Sequence, residues 1–346
     1  MKCPLLSVII PCYNNGKYLL KMIDCFRHQT SDDWELIVVD DGSTDDTPQV
    51  VENTFCDLPN AYFYRRDRLP KGSVVCRNIG FEHAKGKYVC HLDADDLVSN
   101  NFVERRVAFM ENNLAIDYAS FPAIPFRDEQ HLPTKFDRHI SFGIDKGYND
   151  VLESFLREDY CFSVWNNIYR RDSILDMNWD ENVKIYTDFS FIVPGILKGL
   201  KHAFYQSKEY DYYYRVGHSS NVMTSSFVSE DKHKSSIYLF SKTLDSLTNR
   251  DDFGIRKEQY LQFVTSHFAR LLFYGNISYL EQYVDMLSAY YDKLVISKFR
   301  NCYKALRHSK TRLKIIHIYA SLYINFKYPI YRTYLIHSLI KAIIRK

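Results

Sequence analysis

The residues best able to do chemistry in this chain are carboxylates that follow apolar runs. Asp93-Ala94-Asp95-Asp96 follows Tyr88 to Leu92, and Asp40-Asp41-Gly42-Ser43 follows Leu36 to Val39. Carboxylate oxygens are hard ligands that suit Mg2+ or Mn2+. A divalent cation held by them neutralises the roughly two negative charges of a departing diphosphate. An aspartate-rich turn also serves simply as a solvated helix N-cap, so the cluster gains meaning only from its surroundings.

The elements that must position these groups are legible. Leu5 to Ile10 is an apolar, β-branched run that predicts a buried strand, with a loop from Pro11-Cys12-Tyr13-Asn14. Tyr18, Leu19, Met22, Ile23 and Phe26 recur at helical spacing, and Thr47-Pro48 is a cap and first-turn pair for the next helix. Further strands are expected near Ala61 to Tyr64 and Tyr88 to Leu92, with a helix from about Ser73 to Ala84 between them. Strands alternating with helices predict an α/β fold with a mostly parallel central sheet flanked by helices. Ligands collect at the C-terminal strand ends of such sheets, where three polar clusters fall here.

Beyond Ser99 the pattern predicts a helix near Asn101 to Asn113 and a strand near Tyr118 to Phe121. A long Pro-, Gly- and charge-rich loop is expected from Pro122 to Gly147, as over an active site. Val151 to Leu156 reads as helical, Trp165 to Tyr169 as extended, Phe189 to Leu197 as a buried helix and Tyr210 to Val216 as a strand; after about Val228 only helices are expected.

The motif order resembles the family 2 glycosyltransferases: Ser7-Val8-Ile9-Ile10-Pro11-Cys12-Tyr13-Asn14, Val38-Val39-Asp40-Asp41-Gly42-Ser43-Thr44-Asp45, Arg77-Asn78-Ile79-Gly80, then Asp93-Ala94-Asp95-Asp96. The resemblance covers roughly residues 5 to 220. It implies a GT-A nucleotide-diphospho-sugar transferase fold, inverting transfer and a bound Mn2+ or Mg2+. By position it implies that Pro11, Tyr13 and Asp41 line the nucleoside pocket, with Arg77 on the base or diphosphate. It places the metal on the aspartate turn: Asp95 first, Asp93 towards ribose or metal, Asp96 close by. Each has a plainer reading, as loop packing for Pro11 and Tyr13 and as a surface helix cation for Arg77.

Inverting transfer needs a base to deprotonate the acceptor hydroxyl. The resemblance assigns it to Asp188, although Thr187 stands where the family usually has Glu. The plain alternative is a first-turn carboxylate favoured by the helix dipole, and Asp180 and Glu181 are rivals. Trp165 resembles an acceptor-side aromatic, or is core. His218, in Tyr214-Arg215-Val216-Gly217-His218-Ser219, resembles part of a loop closing over the diphosphate and is a candidate metal ligand or phosphate contact, or neither.

Length favours one catalytic domain plus an appendage: residues 1–227 as the catalytic domain, with a nucleotide-binding half at about 1–98 and an acceptor-binding half at about 99–227, and residues 228–346 as a helical C-terminal extension. At 46% hydrophobic and 25% charged residues the chain is neither disordered nor fibrous. Eight scattered cysteines without a C-x-x-C pair read as free thiols of a reducing cytosol. Met1 to Pro4 leads straight into a strand and no apolar run reaches about 18 residues, so neither a leader nor a spanning helix is expected.

From Lys293 onward there are thirteen Lys and Arg and no acid, leaving the preceding part with a net charge of −10. The expected protein is cytoplasmic, with a basic aromatic tail suited to an anionic membrane surface on the inner face of the cell membrane. A helical cap or a homodimer element is the equal alternative, and no motif supports nucleic acid. The expected reaction moves a hexose or N-acetylhexosamine from a nucleotide-sugar donor, a UDP-sugar, to a glycan or polyprenyl-diphosphate-linked acceptor in bacterial surface polysaccharide synthesis, in the manner of capsule or lipopolysaccharide. A sugar-nucleotide nucleotidyltransferase is the enzyme rival, but Pro11-Cys12-Tyr13-Asn14 is no Gly-rich phosphate loop, and no G-x-G-x-x-G supports a dehydrogenase. A non-catalytic nucleotide-sugar-binding subunit is the rival from another class, and Thr187 is the residue that favours it. Removing residues 312–346 is expected to reduce co-sedimentation with anionic vesicles, and unchanged sedimentation rejects the membrane role.

Overall fold

Leu6–Cys12 (β1) is buried at all seven positions, as is Trp34–Asp40 (β2). Strands with no solvent face belong inside a sheet covered on both sides. The computed structural model describes residues 3–217, 229–274 and 277–306. These fall into two units: residues 3–155, 160–181 and 186–217 form one, and 156–159, 182–185 and the described residues from 229 onward form the other.

The first unit is built on a seven-stranded sheet. Its further strands are Ala61–Arg65 (β3), Tyr88–His91 (β4), Tyr118–Ser120 (β6), Asn167–Arg170 (β8) and His202–Phe204 (β9), in the order β3-β2-β1-β4-β8-β6-β9. β3, β2, β1 and β4 run parallel, and β8 is antiparallel to both β4 and β6. Gly16–Arg27 (α1), Thr47–Phe55 (α2) and Ser73–His83 (α3) make the crossovers. The chain moves from β1 outward to β2 and β3, and α3 then returns it to the other side of β1. This reversal between β1 and β4 is the switch point where ligands sit in such sheets.

β4 pairs with β1 only from Leu6 to Ile9. Pro11 therefore lies where β1 is paired on one side, which explains why the strand runs through it to Cys12 instead of ending at Ile10 as the sequence suggested. A second correction concerns Pro122 to Gly147. Ala123–Phe126 (β7) lies inside that expected loop and joins Leu97–Val98 (β5) and Tyr212–Arg215 (β10) in a sheet ordered β5-β10-β7. Pro125 is tolerated there because β7 is an edge strand. Trp165 lies not in a strand but in the 3-10 turn Val164–Asn166 that precedes β8.

Phe102–Asn112 (α4) carries Arg106, which is fully buried and clamps Asp211 through two bonds of 2.8 and 2.9 Å. Its guanidinium lies 4.0 Å from the Phe102 ring centre and also donates to the Asn167 carbonyl at 3.2 Å. This pair ties α4 to the residue just before β10. Val151–Leu156 (α5) and Thr187–Leu197 (α6) complete the helices of residues up to 217. None of the eight cysteines is paired, and among the described residues no helix is long and apolar enough to cross a membrane.

The second unit packs Glu230–Thr248 (α7), Phe253–Tyr274 (α8), Ile277–Leu287 (α9) and Lys293–Leu306 (α10). Phe240 meets Tyr260, Phe263, His267 and Tyr283 with ring centres 5.0–5.5 Å apart. Burial, with Arg270 and His233 adding, holds the His267 pKa well below its ordinary value. Below about pH 6.5 the unfolded chain protonates this histidine and the folded chain does not. The stability it contributes is thus complete above that pH and falls by up to about 1.4 kcal/mol per pH unit below it. Urea unfolding between about pH 7.5 and pH 5 should show a shallower acid loss for His267→Phe than for the parent; identical slopes count against this reading.

Candidate active site

The first two strand-end loops are stitched together. Asn14, at φ 49°, donates its N–H to Ser43 Oγ at 2.9 Å and accepts the Thr44 N–H on its Oδ1 at 2.8 Å. Thr47 Oγ1 accepts the N–H groups of Asn15 and Gly16 at 3.0 and 2.9 Å. Asp40 is fully buried, and its carboxylate accepts the Ser43 N–H and hydroxyl, so it shapes the turn. The neighbouring Asp41 accepts from Arg66 Nε at 2.6 Å and from the Gly72 N–H at 3.1 Å. Pro11 is buried, whereas Tyr13 is 49% exposed with Lys71 Nζ 4.9 Å from its ring centre. The loops thus offer an exposed aromatic face and an anchored carboxylate.

Arg77 reaches the third loop because α3 lies close on β1. A Cβ on Gly80 would stand 2.4 Å from Ile9 Cγ2, so only glycine permits that approach without repacking. The Arg77 side chain is nearly buried, lies 4.7 Å from the Trp179 ring centre and donates to Asp93 Oδ1 at 2.5 Å. Its neighbour Asn78 exchanges bonds with the Trp179 backbone at 3.0 and 2.9 Å and donates to Glu181 at 2.8 Å. Glu181 also takes two bonds from Arg68, at 2.7 and 2.6 Å, and these lower its pKa. That engagement removes Glu181 from contention as a base.

The aspartate turn divides its work. Asp93 keeps a partly exposed side chain; desolvation first, then the charges of Asp188 and Asp95, outweigh the opposing Arg77 and leave its pKa pushed up to about 6. Asp95 is partly exposed. Asp96 is buried: Oδ2 accepts the Tyr212 hydroxyl and Oδ1 the Arg215 N–H, each at 2.6 Å. Desolvation and then Asp93 and Asp95 raise its pKa well above the carboxylate range. Both oxygens of Asp96 are thus turned to the protein, which suits building the turn better than the metal role expected from sequence. Arg215 adds a bond from Nε to the Asp95 carbonyl at 2.7 Å, and its guanidinium sits between the rings of Tyr18 and Phe126, 4.6 and 4.5 Å from their centres.

Asp188 is the second residue of α6, entered through Tyr186 at φ 59°. Its Oδ2 accepts the Ser163 hydroxyl and, at 3.4 Å, the Val164 N–H. It lies near enough to Asp93 for the two charges to act on each other. Trp165 stacks on Tyr212 at 4.9 Å and 12°, with Tyr214 at 5.0 Å and Phe142 at 5.6 Å. His218 lies outside the described residues. The site therefore joins Arg77, Asp93, Asp95, Asp96 and Asp188, while Tyr13 and Asp41 stand at the neighbouring loop exits. Sequence reasoning gave Arg66 and Tyr212 no site role, Tyr212 being only part of an expected strand, while Arg215 stood in the stretch resembling a loop over the diphosphate without a role of its own.

Among the described residues no group of three or more His, Cys, Asp or Glu side chains forms a ready metal cage. Asp93 and Asp95 nevertheless fit a Mg2+ or Mn2+ of the kind held by one or two carboxylates plus phosphate oxygens and water.

Residues 7–176 match the family model described as Glycosyl transferase family 2. The chain belongs to this family. The cholesterol galactosyltransferase of Borreliella burgdorferi is 27% identical over 366 residues, covering 95% of this chain and 97% of that protein. The crystal structure of S. aureus TarS 1-349 in complex with UDP-GlcNAc superposes with a TM-score of 0.59 at 20% identity, over 93% of this chain and 89% of that one. A mannosyltransferase, PcManGT from Pyrobaculum calidifontis in complex with GDP-Man and Mn2+, gives 0.53 at 15% identity over 94% and 87%. The central sheet flanked by helices, with its helical C-terminal region, is the GT-A architecture of a family 2 glycosyltransferase.

In this glycosyltransferase Asp96 depends on Tyr212. Tyr212→Phe is expected to cost about 0.5–1.5 kcal/mol, the net range for a hydrogen bond to a neutral group such as the protonated Asp96, read as a lower midpoint in urea; an unchanged midpoint removes Asp96 from the framework of the turn.

Proposed function

We propose that this glycosyltransferase is an inverting, metal-dependent enzyme that transfers a hexose or N-acetylhexosamine from a UDP-sugar to a glycan or lipid-linked glycan in bacterial surface polysaccharide synthesis. The observation that carries this reading is that Asp188, held at the start of α6 by Ser163 and the Val164 N–H, lies close to Asp93 of the strand-end turn, which Arg77 holds. Asp93 and Asp95 would hold the cation, which supplies charge neutralisation for the leaving diphosphate. Arg77 stands beside Asp93 as a further cation for that diphosphate. Tyr13 offers an exposed ring for the uracil, and Asp41, fixed by Arg66, an acceptor for its N–H.

Asp188 is the general base. A nucleophile that displaces a group with inversion attacks from the face opposite the leaving group, so its proton must be taken on the side away from the diphosphate. Ser163 and the Val164 N–H both bind Oδ2, which fixes the carboxylate without engaging Oδ1 in the same pair of bonds. Thr187 does not impair this: its carbonyl accepts the Ser190 hydroxyl at 2.6 Å inside α6, while the carboxylate comes from the next residue. Support for the donor class comes from the TarS neighbour with UDP-GlcNAc and, for the cation, from the mannosyltransferase with Mn2+. Trp165 and its aromatic stack form the acceptor-side wall.

Asp188→Asn is expected to lower kcat by about 10²–10⁴-fold, the usual contribution of a positioned base, with UDP affinity retained. Asp95→Ala is expected to abolish the Mn2+-dependent part of UDP affinity. The check is transfer and donor hydrolysis over a panel of nucleotide sugars, with and without Mn2+, beside calorimetric UDP binding. Full turnover in Asp188→Asn, or UDP affinity that is the same in EDTA, overturns the corresponding assignment.

A further inference from the structure

A cavity of about 530 Å3 lies between the loop 136–147 and the residues that follow β9. That is within the about 300–1,000 Å3 usual for small-molecule sites. Phe136, Arg138, Gly143, Tyr205, Gln206 and Lys208 line it, and none of these has a part in the donor site. Arg138, Gln206 and Lys208 are exposed. Phe136 and Tyr205 supply partly buried rings whose backs are packed, Phe136 against Tyr210 at 5.9 Å and Tyr205 against Phe121 at 4.6 Å. Asp145 also contributes to the lining, so two cationic side chains face one carboxylate; Arg138 is fixed to that residue by a bond to its carbonyl at 2.9 Å.

The cavity wall is joined to the catalytic segment. Gly143, at φ +73°, donates its N–H to the Cys161 carbonyl at 2.8 Å. A Cβ on it would stand 1.8 Å from the Phe121 oxygen and 2.3 Å from Asn166 Nδ2. The stretch from Cys161 to Asn166 carries Ser163, which holds Asp188, and Trp165. Phe142, next to Gly143, meets Trp165 edge-on. One loop thus has the candidate acceptor wall on one residue and the cavity on the next.

The geometry points to a distal acceptor subsite that binds an anionic saccharide, carboxylate- or phosphate-bearing, by stacking on aromatic rings and by charge-assisted bonds from Arg138 and Lys208. The inference rests on the transferase reading and deepens it by naming the acceptor class. A sugar seated there lies one loop away from the residue that receives the acceptor proton, so the subsite recognises a unit beyond the reacting one.

The test uses the full chain and three probes: a uronate-containing hyaluronan tetrasaccharide, a phosphodiester-linked glycerol phosphate trimer and neutral chitotetraose. Calorimetry is run on the parent and on the double variant Arg138→Ala/Lys208→Ala. At least one anionic probe should bind the parent and lose about tenfold or more in the double variant, as expected when charge-assisted bonds are removed. Chitotetraose should not distinguish the two proteins, and UDP affinity should be equal in both. The anionic probe that binds identifies carboxylate or phosphodiester as the charge. Equal affinity of parent and variant for the anionic probes, or no binding of either, overturns the subsite while UDP binding leaves the donor reading intact. Loss of UDP binding by the parent overturns the transferase reading instead.

Discussion

Crowded negative charge is the constraint on which the rest of the site depends. Asp188 and Asp95 act on Asp93, Asp93 and Asp95 act on Asp96, and burial disfavours the charged forms of Asp93 and Asp96. The fold answers with partners of different kinds. Arg77 meets Asp93 directly, the Tyr212 hydroxyl and the Arg215 N–H absorb Asp96, and Ser163 steadies Asp188. Asp93 and Asp95, partly open to solvent as Asp188 also is, are the pair whose charge a cation would relieve. Perturbed ionisation of the kind seen at Asp93 is common at functional sites.

The partners are themselves held at a distance from the cleft. Arg77 has its place because Gly80 lets α3 rest on Ile9. Tyr212 follows Asp211, which is locked to the fully buried Arg106. Such a buried pair adds little net stability but is costly to break, because either half alone is an uncompensated charge. Its effect is to fix where β10 starts, and with it the hydroxyl that meets Asp96.

Most of the parallel half of the sheet was legible in the sequence, because buried strands such as Leu6–Cys12 and Trp34–Asp40 are continuous apolar runs bounded by turn residues. The aspartate turn was legible for the same reason, as polar residues at a strand exit. β5, with two residues, and β9, with three, are too short to carry a period. β7 was hidden by Pro125, whose meaning depends on the strand being at an edge, a tertiary fact. The division of labour within the turn was equally hidden. Nothing in Asp93-Ala94-Asp95-Asp96 marks Asp96 as the inward one, since its partners lie 116 and 119 positions away.

That separation bears on how the protein is made. The stretch that carries the family signature ends at residue 176, before Asp188 and before the β10 residues that clasp the turn. A chain halted there would contain every aspartate of the turn and the arginine beside it, yet Asp96 would lack both of its bonds. Long-range closures of this kind form late, because the connecting loop must be ordered before the contact repays it. Assembly of the aspartate turn is therefore deferred until translation has passed residue 215, so a nascent or clipped N-terminal fragment would have the signature without a finished turn.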